Sequence, residues 1–583
     1  MRLTFVLAAA ALALPLAAQN PRAAVNLHGC TEITFDPQLA TQGDVSVAAI
    51  SAGDSGAGAA HIEVYRSDGR GLSWSGPVQV DSDGSGARKD LDDPSYLQID
   101  GGRIYLIWED QRGATNDVYF SCSTDGGASW AMEILLDKPA GHGDTFNARM
   151  AVSGNDIYIA YEANEPGGSD DQLQIVASHD GGLTFGSAVN PSVGGGPGTL
   201  VDVDNFILMA SGSTVHVAWT DDRVAGTNGV FYQRSTDGGA TFLLADVQLD
   251  PGTGDATSGP VNMAQDGSLL AVGWDYETTG SGNESLFVAT STDGGATFGA
   301  GVLVGAYTDV TDDVDASRLM TSGGNLICVW EDNRTGSDEI FVATSTDSGA
   351  TWTEQAASFG AGGFPRVSNV SSGGEDGVAI GWTGPSFPES ALYAVSTDNG
   401  VTFGSALSVS DDTTSDVDFA EVKWNDLYNN YICAWQAEEC TSDGGITFFN
   451  NTFVGGFRPQ SIAANGFVAG PTTLDFDVSN FDTGTTQVWV VCSFATGDTF
   501  IPFGDGRNVG LVQDGLFVFT SNVPGAFNTT LDASGSGTTT SQAVTIASGT
   551  TVFAVGVGLN PVNPPTFGDV SDVDFAEVKW NDL

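Results

Sequence analysis

A short motif of eight residues recurs along the chain and constrains its fold more than any other feature. Each copy combines a serine or threonine, an aspartate, at least one glycine and a closing aromatic residue. The copies read STDGGASW (123–130), SHDGGLTF (178–185), STDGGATF (235–242), STDGGATF (291–298), STDSGATW (345–352), STDNGVTF (396–403) and TSDGGITF (441–448). A degenerate copy, SDGRGLSW, ends at Trp74. The closing aromatics follow one another at intervals of 45 to 57 residues, which indicates a repeat architecture.

Each repeat unit contains short stretches with the alternation of β-strands. In the sixth unit, strands are predicted at 317–323, 325–330 and 339–345, followed by the motif and a fourth short strand. Four strands per unit predict an all-β propeller of seven full blades plus a partial eighth, spanning residues 31–456. The eighth is predicted to lack most of its third strand, because only 436–440 separate Trp435 from the motif.

Large aromatics recur at the same place in the second strand of the units. Because they repeat at the spacing of the blades, we predict that they form the core between blades. They are Trp108, Tyr161, Trp219, Trp274, Trp330, Trp382 and Trp435.

The motif has the chemistry of a tight turn. Glycine adopts positive φ without a steric penalty, and an aspartate accepts hydrogen bonds from backbone N–H groups of the turn. We assign this structural role to Asp125, Asp180, Asp237, Asp293, Asp347, Asp398 and Asp443.

These copies resemble the Asp box, or BNR repeat, of sialidases and related propellers, and the resemblance covers roughly residues 40–456. It implies a sialidase-like propeller whose Asp boxes are structural and lie on the face opposite the active site. It does not by itself imply activity, because one fold hosts many functions.

Both ends of the chain carry further segments. Residues 1–18, with Arg2 before an apolar run and small residues at the exit, are predicted to be a secretory signal peptide. No later apolar run is long enough to span a membrane, so a secreted protein is expected. Residues 457–570 alternate like a small β-sandwich domain. Residues 571–583 duplicate 415–427 and form a tail of uncertain structure.

Charge narrows the possible partners. The chain has 73 acidic and 19 basic residues, for a net charge of −54. Such a surface repels nucleic acid and anionic membranes, and it suits cations. Hydrophobic residues make up 41% of the chain, which is enough for a packed core.

Arginines recur at the start of the predicted innermost strands. Arg149, Arg318 and Arg366 occupy matching positions, where other units have Tyr96, Ile207, Asn262 and Glu421. The resemblance to sialidases implies that three arginines would hold a substrate carboxylate. It also implies a tyrosine nucleophile with a glutamate, and an acid. Tyr276 and Glu277 are the candidate pair, and Tyr307 and Asp144 lie on other suitable loops. The Arg-Ile-Pro segment of the family is absent.

A second recurring pattern follows the second strand. It reads WEDQR (108–112), WTDDR (219–223) and WEDNR (330–334). Arg112, Arg223 and Arg334 are either ligand-binding residues or partners in Asp–Arg pairs that stabilise the turn. Repetition in three blades favours the structural interpretation.

Acidic loops between blades are candidate Ca²⁺ sites, because crowded carboxylates supply oxygen ligands. Asp309, Asp312, Asp313 and Asp315 form one such group, and Asp411, Asp412, Asp416 and Asp418 form another. The alternative is that these loops are simply solvated. No cofactor other than Ca²⁺ is suggested.

Two cysteines are predicted to pair. Cys433 matches the second strand and Cys440 the third, so the shortened eighth blade would bring them to disulfide distance.

The sequence as a whole favours a secreted, non-catalytic module that binds a glycan or an extracellular protein. An exo-sialidase-type glycoside hydrolase and a structural cell-surface protein are the alternatives.

Overall fold

The computed structural model divides the chain into two compact units, Pro21–Phe457 and the residues from Arg458 onward. In the first unit the structure describes residues 25–27, 33–53, 61–67, 74–82, 87–91, 94–166, 171–193, 202–224, 227–250, 255–256, 261–277, 284–305, 314–355, 359, 363–369, 378–384, 391–396, 398–404, 406–408, 417–425, 430–441 and 448–457. In the second it describes 461–465, 472–473, 475–479, 487–493, 528–530, 537–539, 543–544 and 553–559. The predicted signal peptide and the tail at 571–583 lie outside these residues.

The described residues form strands and one short 3₁₀ helix, Pro94–Tyr96, which confirms the all-β prediction. After β1 (Val25–Asn26), sheet 1 consists of β2 (Ile33–Gln42), β3 (Val45–Gly53), β4 (His61–Ser67) and β5 (Trp74–Gln79). Sheet 2 consists of β6 (Lys89–Asp90), β7 (Leu97–Asp100), β8 (Arg103–Asp110), β9 (Asp117–Ser123) and β10 (Ile134–Leu135). Sheet 3 consists of β11 (Thr145–Ser153), β12 (Asp156–Asn164) and β13 (Asp171–Ser178). Sheet 4 consists of β14 (Val203–Ser211), β15 (Thr214–Val224), β16 (Thr227–Ser235) and β17 (Val247–Gln248).

The remaining sheets of this unit follow the same plan. Sheet 5 consists of β18 (Asp255–Ala256), β19 (Asn262–Asp266), β20 (Leu269–Glu277), β21 (Glu284–Ser291) and β22 (Val302–Val304). Sheet 6 consists of β23 (Val314–Ser322), β24 (Asn325–Asp332), β25 (Glu339–Ser345) and β26 (Thr353–Glu354). Sheet 7 consists of β27 (Gly363–Asn369), β28 (Val378–Thr383), β29 (Ala391–Ser396) and β30 (Leu407–Ser408). Sheet 8 consists of β31 (Val417–Asn425), β32 (Asn430–Thr441), β33 (Phe448–Phe457) and the N-terminal β1.

The second unit contains smaller antiparallel sheets. Its strands are β34 (Ser461–Asn465), β35 (Thr472–Thr473), β36 (Asp475–Ser479), β37 (Gln487–Ser493), β38 (Asn528–Thr530), β39 (Gly537–Thr539), β40 (Ala543–Val544) and β41 (Phe553–Leu559). They pair as β34–β36–β39, β35–β40 and β38–β37–β41.

The sheets of the first unit are arranged in a propeller-like cycle. Neighbouring strands pair antiparallel, and one inner strand of each sheet contacts the inner strand of the next sheet. These inner strands are β2, β7, β11, β14, β19, β23, β27 and β31, and β31 in turn contacts β2. These inner strands therefore surround one central region.

Sheet 8 differs from the sequence prediction. Its second strand, β32, runs through Thr441, and its third strand, β33, follows the motif instead of preceding it. The outermost position is filled by β1, in which Val25 pairs with Val454 and Asn26 with Phe453. The strand expected to be missing is thus supplied by residues beyond the motif. Asp443 itself lies outside the described residues.

The predicted Cys433–Cys440 disulfide is wrong. Both residues lie on β32, about 20 Å apart along the strand, whereas a disulfide requires Cα atoms within roughly 7 Å. Cys433 is a free, buried thiol. The error followed from assigning Cys440 to a third strand.

The recurring aromatics form the core, as predicted. Trp108, Tyr161, Trp219, Trp274, Trp330, Trp382 and Trp435 each expose 1% or less of their surface. Trp219 packs with Tyr158 and Leu173 of sheet 3, and Trp330 packs with Leu286 and Val288 of sheet 5. Trp219 and Trp330 therefore each join their sheet to the preceding one, and each buries roughly 150–250 Å².

The protein is expected to lose stability in acid because it buries a histidine. His216 on β15 is fully buried, its Nδ1 lies 2.7 Å from Tyr232 Oη, and burial followed by the charge of Arg234 lowers its pKa to about 4. The unfolded chain binds this proton near pH 6.5. The stabilisation is therefore complete above pH 6.5 and is lost as the pH falls toward 4, by up to roughly 3 kcal/mol.

Urea unfolding at pH 7.5, 5.5 and 4.5 measures this loss. His216→Gln keeps a polar partner for Tyr232 and cannot titrate, so its stability should fall less over this range. Parallel pH dependences for the two proteins would contradict the assignment to His216.

Candidate functional site

The inner strands surround a cavity of about 500 Å³. Its walls come from sheets 1 to 6 and sheet 8, and no side chain of β27 in sheet 7 is described. Among the described side chains, the walls carry three cations, Arg149, Arg318 and Lys423, and no carboxylate. Amide and hydroxyl groups complete the polar lining, from Thr41, Ser95, Gln98, Asn205 and Asn262. In a chain with 19 basic and 73 acidic residues, this is a local reversal of charge.

Arg149 and Arg318 are held in the same way. Each follows an irregularity in the pairing of its inner strand, between Phe146 and Arg149 in β11 and between Asp315 and Arg318 in β23. In each case Nη1 donates a 2.8 Å hydrogen bond to the carbonyl of the preceding residue, Ala148 or Ser317. Both side chains are half-buried. The Arg149 guanidinium also lies 5.6 Å from the centre of the Phe206 ring on sheet 4.

Arg366 has the matching backbone position. It follows the same kind of irregularity in β27 and pairs with Gly381, as Arg149 pairs with Ala160 and Arg318 with Val329. Its side chain lies outside the described part of the chain. The backbone register thus agrees with the spacing seen in the sequence.

The candidate nucleophile pair lies elsewhere. Tyr276 is 6% exposed, packs on the Phe287 ring at 5.7 Å in the core of sheets 4 and 5, and is not among the residues lining the cavity. Glu277 ends β20, opposite Glu284. Asp144 is exposed, and its Oδ1 accepts the Asn116 N–H at 2.8 Å. Tyr307 lies outside the described residues. The cavity therefore unites two predicted arginines but not the predicted tyrosine and glutamate.

A different tyrosine–glutamate pair lies beside the cavity. Tyr96 Oη donates a 2.7 Å hydrogen bond to Glu109 Oε1, and Asn116 Nδ2 donates to Glu109 Oε2 at 2.8 Å. Tyr96 is fully buried and Glu109 is 4% exposed, and this burial raises the Glu109 pKa. The sequence contained one indication of this pair, the alternation of side chains along β8. Alternation places Glu109 on the opposite face of the strand from Trp108 and Asp110.

Arg112, Arg223 and Arg334 form compact structural clusters. In each, a tryptophan Nε1 and the arginine both donate to one fully buried aspartate: Trp108 and Arg112 to Asp110, Trp219 and Arg223 to Asp221, and Trp330 and Arg334 to Asp332. A carboxylate near the fourth strand completes each cluster: Glu133, Asp246 or Glu354. The guanidinium lies 4.0–4.3 Å above an aromatic ring of the third strand. Because carboxylates occupy the N–H groups of each guanidinium and an aromatic ring covers one of its faces, these contacts favour the structural interpretation.

A buried lysine joins sheets 1 and 2. Lys89 Nζ lies 3.8 Å from Asp81 and 3.7 Å from Asp110, and all three side chains are fully buried. Asp81 also accepts the Ile62 N–H of sheet 1 at 2.7 Å. The lysine charge is thus balanced by one carboxylate from each sheet.

The recurring motifs form turns with one repeated set of hydrogen bonds. In the turn at 123–130, Ser123 Oγ donates to Asp125 Oδ1 at 2.8 Å and accepts the Gly127 N–H at 2.9 Å. Asp125 also accepts the N–H and Oγ–H of Ser129, and these bonds lower its pKa to about 2. The same contacts recur around Asp180, Asp237, Asp293, Asp347 and Asp398.

The calcium prediction falls mainly on residues outside the described ones. These are Asp309, Asp312, Asp313, Asp411, Asp412 and Asp416, while Asp315 on β23 and Asp418 on β31 are described by their backbone alone. Within the described residues, no three His, Cys, Asp or Glu side chains are grouped to hold a metal. Two other aspartates, Asp202 and Asp222, each accept a backbone N–H at 3.0 Å. Calcium binding stays a prediction.

Among the residues that the structure describes, no helix has the length and apolar character required to span a membrane.

No family model matches the sequence, and no curated protein matches it either. Solved structures with a similar arrangement include a protein of unknown function from Dyadobacter fermentans (13% identity, TM-score 0.35, 56% of this chain and 98% of that one). An α-L-arabinanase of Penicillium chrysogenum in complex with arabinobiose is 15% identical (TM-score 0.34, 53% and 91%). A Trypanosoma rangeli sialidase in complex with the inhibitor DANA is 11% identical (TM-score 0.34, 79% and 82%). This similarity assigns no activity to the chain.

Proposed function

We propose that the protein is a secreted, non-catalytic binding module whose cavity holds an acidic glycan. The first unit would be a propeller in which the eight sheets are blades. The observation that carries the proposal is the lining of the cavity, with Arg149, Arg318 and Lys423 and no described carboxylate inside a chain of net charge −54.

The chemistry of the lining selects the ligand class. A guanidinium binds a carboxylate through two parallel N–H donors, and the neighbouring amides and hydroxyls suit sugar hydroxyl groups. The two arginines lie three sheets apart in the cycle, Arg149 on β11 and Arg318 on β23. A saccharide bearing a carboxylate would be held at more than one point. Acid groups also distinguish such a ligand from a neutral sugar of the same size.

The absence of a tyrosine from the described walls favours binding over hydrolysis of the sialidase type. Tyr276 lies in the core, and Tyr96, although paired with a glutamate, is fully buried. A glycosidase of the sialidase type needs its tyrosine in contact with the sugar. Binding requires only the cations and hydrogen-bonding groups that the described walls carry, whereas hydrolysis of this type also requires a tyrosine that they lack.

Calorimetric titration with trigalacturonate and with its methyl ester tests the proposal. We expect the acid to bind and the neutral ester to bind at least tenfold more weakly, because charged hydrogen bonds contribute about 1.5–3 kcal/mol each. Arg149→Ala and Arg318→Ala should each weaken acid binding by roughly 10–100-fold. Arg88→Ala, at a guanidinium that is 58% exposed, is the matched control and should change nothing. Equal affinity for acid and ester would overturn the proposal.

The alternative is an exo-sialidase-type hydrolase, which the matched positions of Arg149, Arg318 and Arg366 favour. It predicts cleavage of a fluorogenic sialoside and a sharp loss of turnover in Arg318→Ala. Binding of sialosides without release of the fluorophore would support the binding module.

A further inference from the structure

We propose that Tyr96 and Asn262 are positioning residues for Arg149 and Arg318, each acting from the sheet that precedes its arginine. The proposal deepens the proposed function, on which it rests. Asn262 occupies, in sheet 5, the same inner-strand position that the arginines occupy in sheets 3 and 6, and Tyr96 stands at the matching point of the repeat directly before β7 in sheet 2. The side chain at this position reaches the residue just before the arginine of the next sheet.

Sheet 2 acts on sheet 3 through Ala148. The Ala148 N–H donates to Tyr96 Oη at 3.1 Å, and the Ala148 carbonyl accepts Arg149 Nη1 at 2.8 Å. Glu109 fixes the tyrosine, because it accepts the Tyr96 hydroxyl proton at 2.7 Å. Tyr96, Glu109 and Ala148 are all buried, so this relay is closed to water. The tyrosine hydroxyl therefore fixes the residue whose carbonyl anchors the guanidinium.

The backbone before Arg149 is held by a further hydrogen bond. Asn147 has a φ of 52°, in the left-handed region, which asparagine adopts more readily than most residues. Its Nδ2 donates to Glu162 Oε2 at 2.9 Å. Hydrogen bonds to two buried glutamates, Glu109 and Glu162, thus hold the two residues before the arginine.

Sheet 5 acts on sheet 6 through Ser317. Asn262 Nδ2 donates to Ser317 Oγ at 2.9 Å, and the Ser317 carbonyl accepts Arg318 Nη1 at 2.8 Å. Asn262 is 8% exposed and Ser317 is 1% exposed. The hydrogen-bonding groups differ from those between sheets 2 and 3, but the order of contacts is the same: a side chain of one sheet, the residue before the arginine, and the arginine. In both cases a side chain of one sheet holds the residue that orients the arginine of the next.

The consequence is preorganisation of the cavity. An unsupported arginine samples many rotamers, and ordering it on binding costs affinity. Anchoring one Nη atom to a fixed carbonyl removes part of that cost before the ligand arrives. The two anchors are separate, so each positioning residue should affect its own arginine and not the other.

Double-mutant cycles with trigalacturonate test this pairing. We expect Tyr96→Phe to weaken binding roughly fivefold in the wild type and in Arg318→Ala, but less than twofold in Arg149→Ala. Asn262→Ala should show the converse pattern, with its effect lost only in Arg318→Ala. A general loss of packing would not distinguish the two arginines. Circular dichroism and thermal unfolding of each variant establish that it is folded at the titration temperature.

A measurement without ligand separates this proposal from the proposed function. Phenylglyoxal modification, followed by peptide mass spectrometry, reports how freely each guanidinium reacts. Tyr96→Phe should accelerate modification of Arg149 but not of Arg318, and Asn262→Ala should do the reverse. Equal changes at both arginines, or additive cycles, would overturn the positioning role. Trigalacturonate affinity that ignores Arg149→Ala and Arg318→Ala would overturn the proposed function, whatever the modification pattern.

Discussion

Lys89→Met is expected to lower the free energy of unfolding by about 3–5 kcal/mol, because it leaves the buried Asp81 carboxylate without its lysine counter-charge, whereas Asp110 keeps its ion pair with Arg112. The lysine lies within 4 Å of Asp81 and Asp110, and none of the three side chains is exposed to solvent. Methionine preserves most of the packing volume, so the loss would report charge and not a cavity.

Urea denaturation at pH 7 measures this effect. The double variant Asp81→Asn/Lys89→Met should recover part of the lost stability, since the stranded Asp81 charge is removed. Lys138→Met is the matched control, because Lys138 is 24% exposed and its pair with Asp117 is reached by water. A change below about 1 kcal/mol in Lys89→Met would show that the cluster is hydrated in solution.

Asp221→Ala is expected to cost about 3 kcal/mol, because one fully buried carboxylate accepts hydrogen bonds from four N–H donors. It accepts Trp219 Nε1 at 2.7 Å, the Arg223 backbone N–H at 3.2 Å, Arg223 Nε at 2.8 Å and also Arg223 Nη2. Removing it leaves a buried indole N–H and a half-buried guanidinium whose remaining carboxylate partner is Asp246.

The neighbouring Asp222→Ala serves as control, since that side chain is exposed and accepts one backbone N–H. Equivalent losses in Asp110→Ala and Asp332→Ala would establish the cluster as a repeated structural element. If Arg223→Ala weakened glycan binding while leaving the unfolding free energy intact, the ligand-binding interpretation would replace the structural one.

Most of the features of the fold that the sequence predicted came from local patterns. Tryptophans at one position per repeat predicted the core, since a large side chain recurring at the spacing of the units must pack between them. The spacing likewise placed Arg149 and Arg318 at equivalent points of their strands, and both line one cavity. These successes share a cause, because each depends on a relation within one repeat.

Relations between distant segments could not be read in this way. Nothing in Val25–Asn26 indicates that it pairs with β33, more than 400 residues away. The contact between Tyr96 and Ala148 depends on how two sheets face each other, and neither residue belongs to a recognisable motif. Tyr276 was misplaced for a simpler reason. β20 continues to Glu277, so the tyrosine belongs to a strand and its ring packs in the core instead of on a loop.

The pairing of Val25 with Val454 also determines when the N-terminal strand can pair during synthesis of the chain. Ribosomes add roughly 5–20 residues per second, so the N-terminal strand waits on the order of 20–90 s before its neighbour exists. Sheets 1 to 7 can assemble in turn as they emerge, but sheet 8 is complete only after residue 457 has been made. Until then β1 lacks its partner strand and sheet 1 lacks its neighbour, sheet 8, and in that interval the chain is most exposed to pairing with the wrong strand.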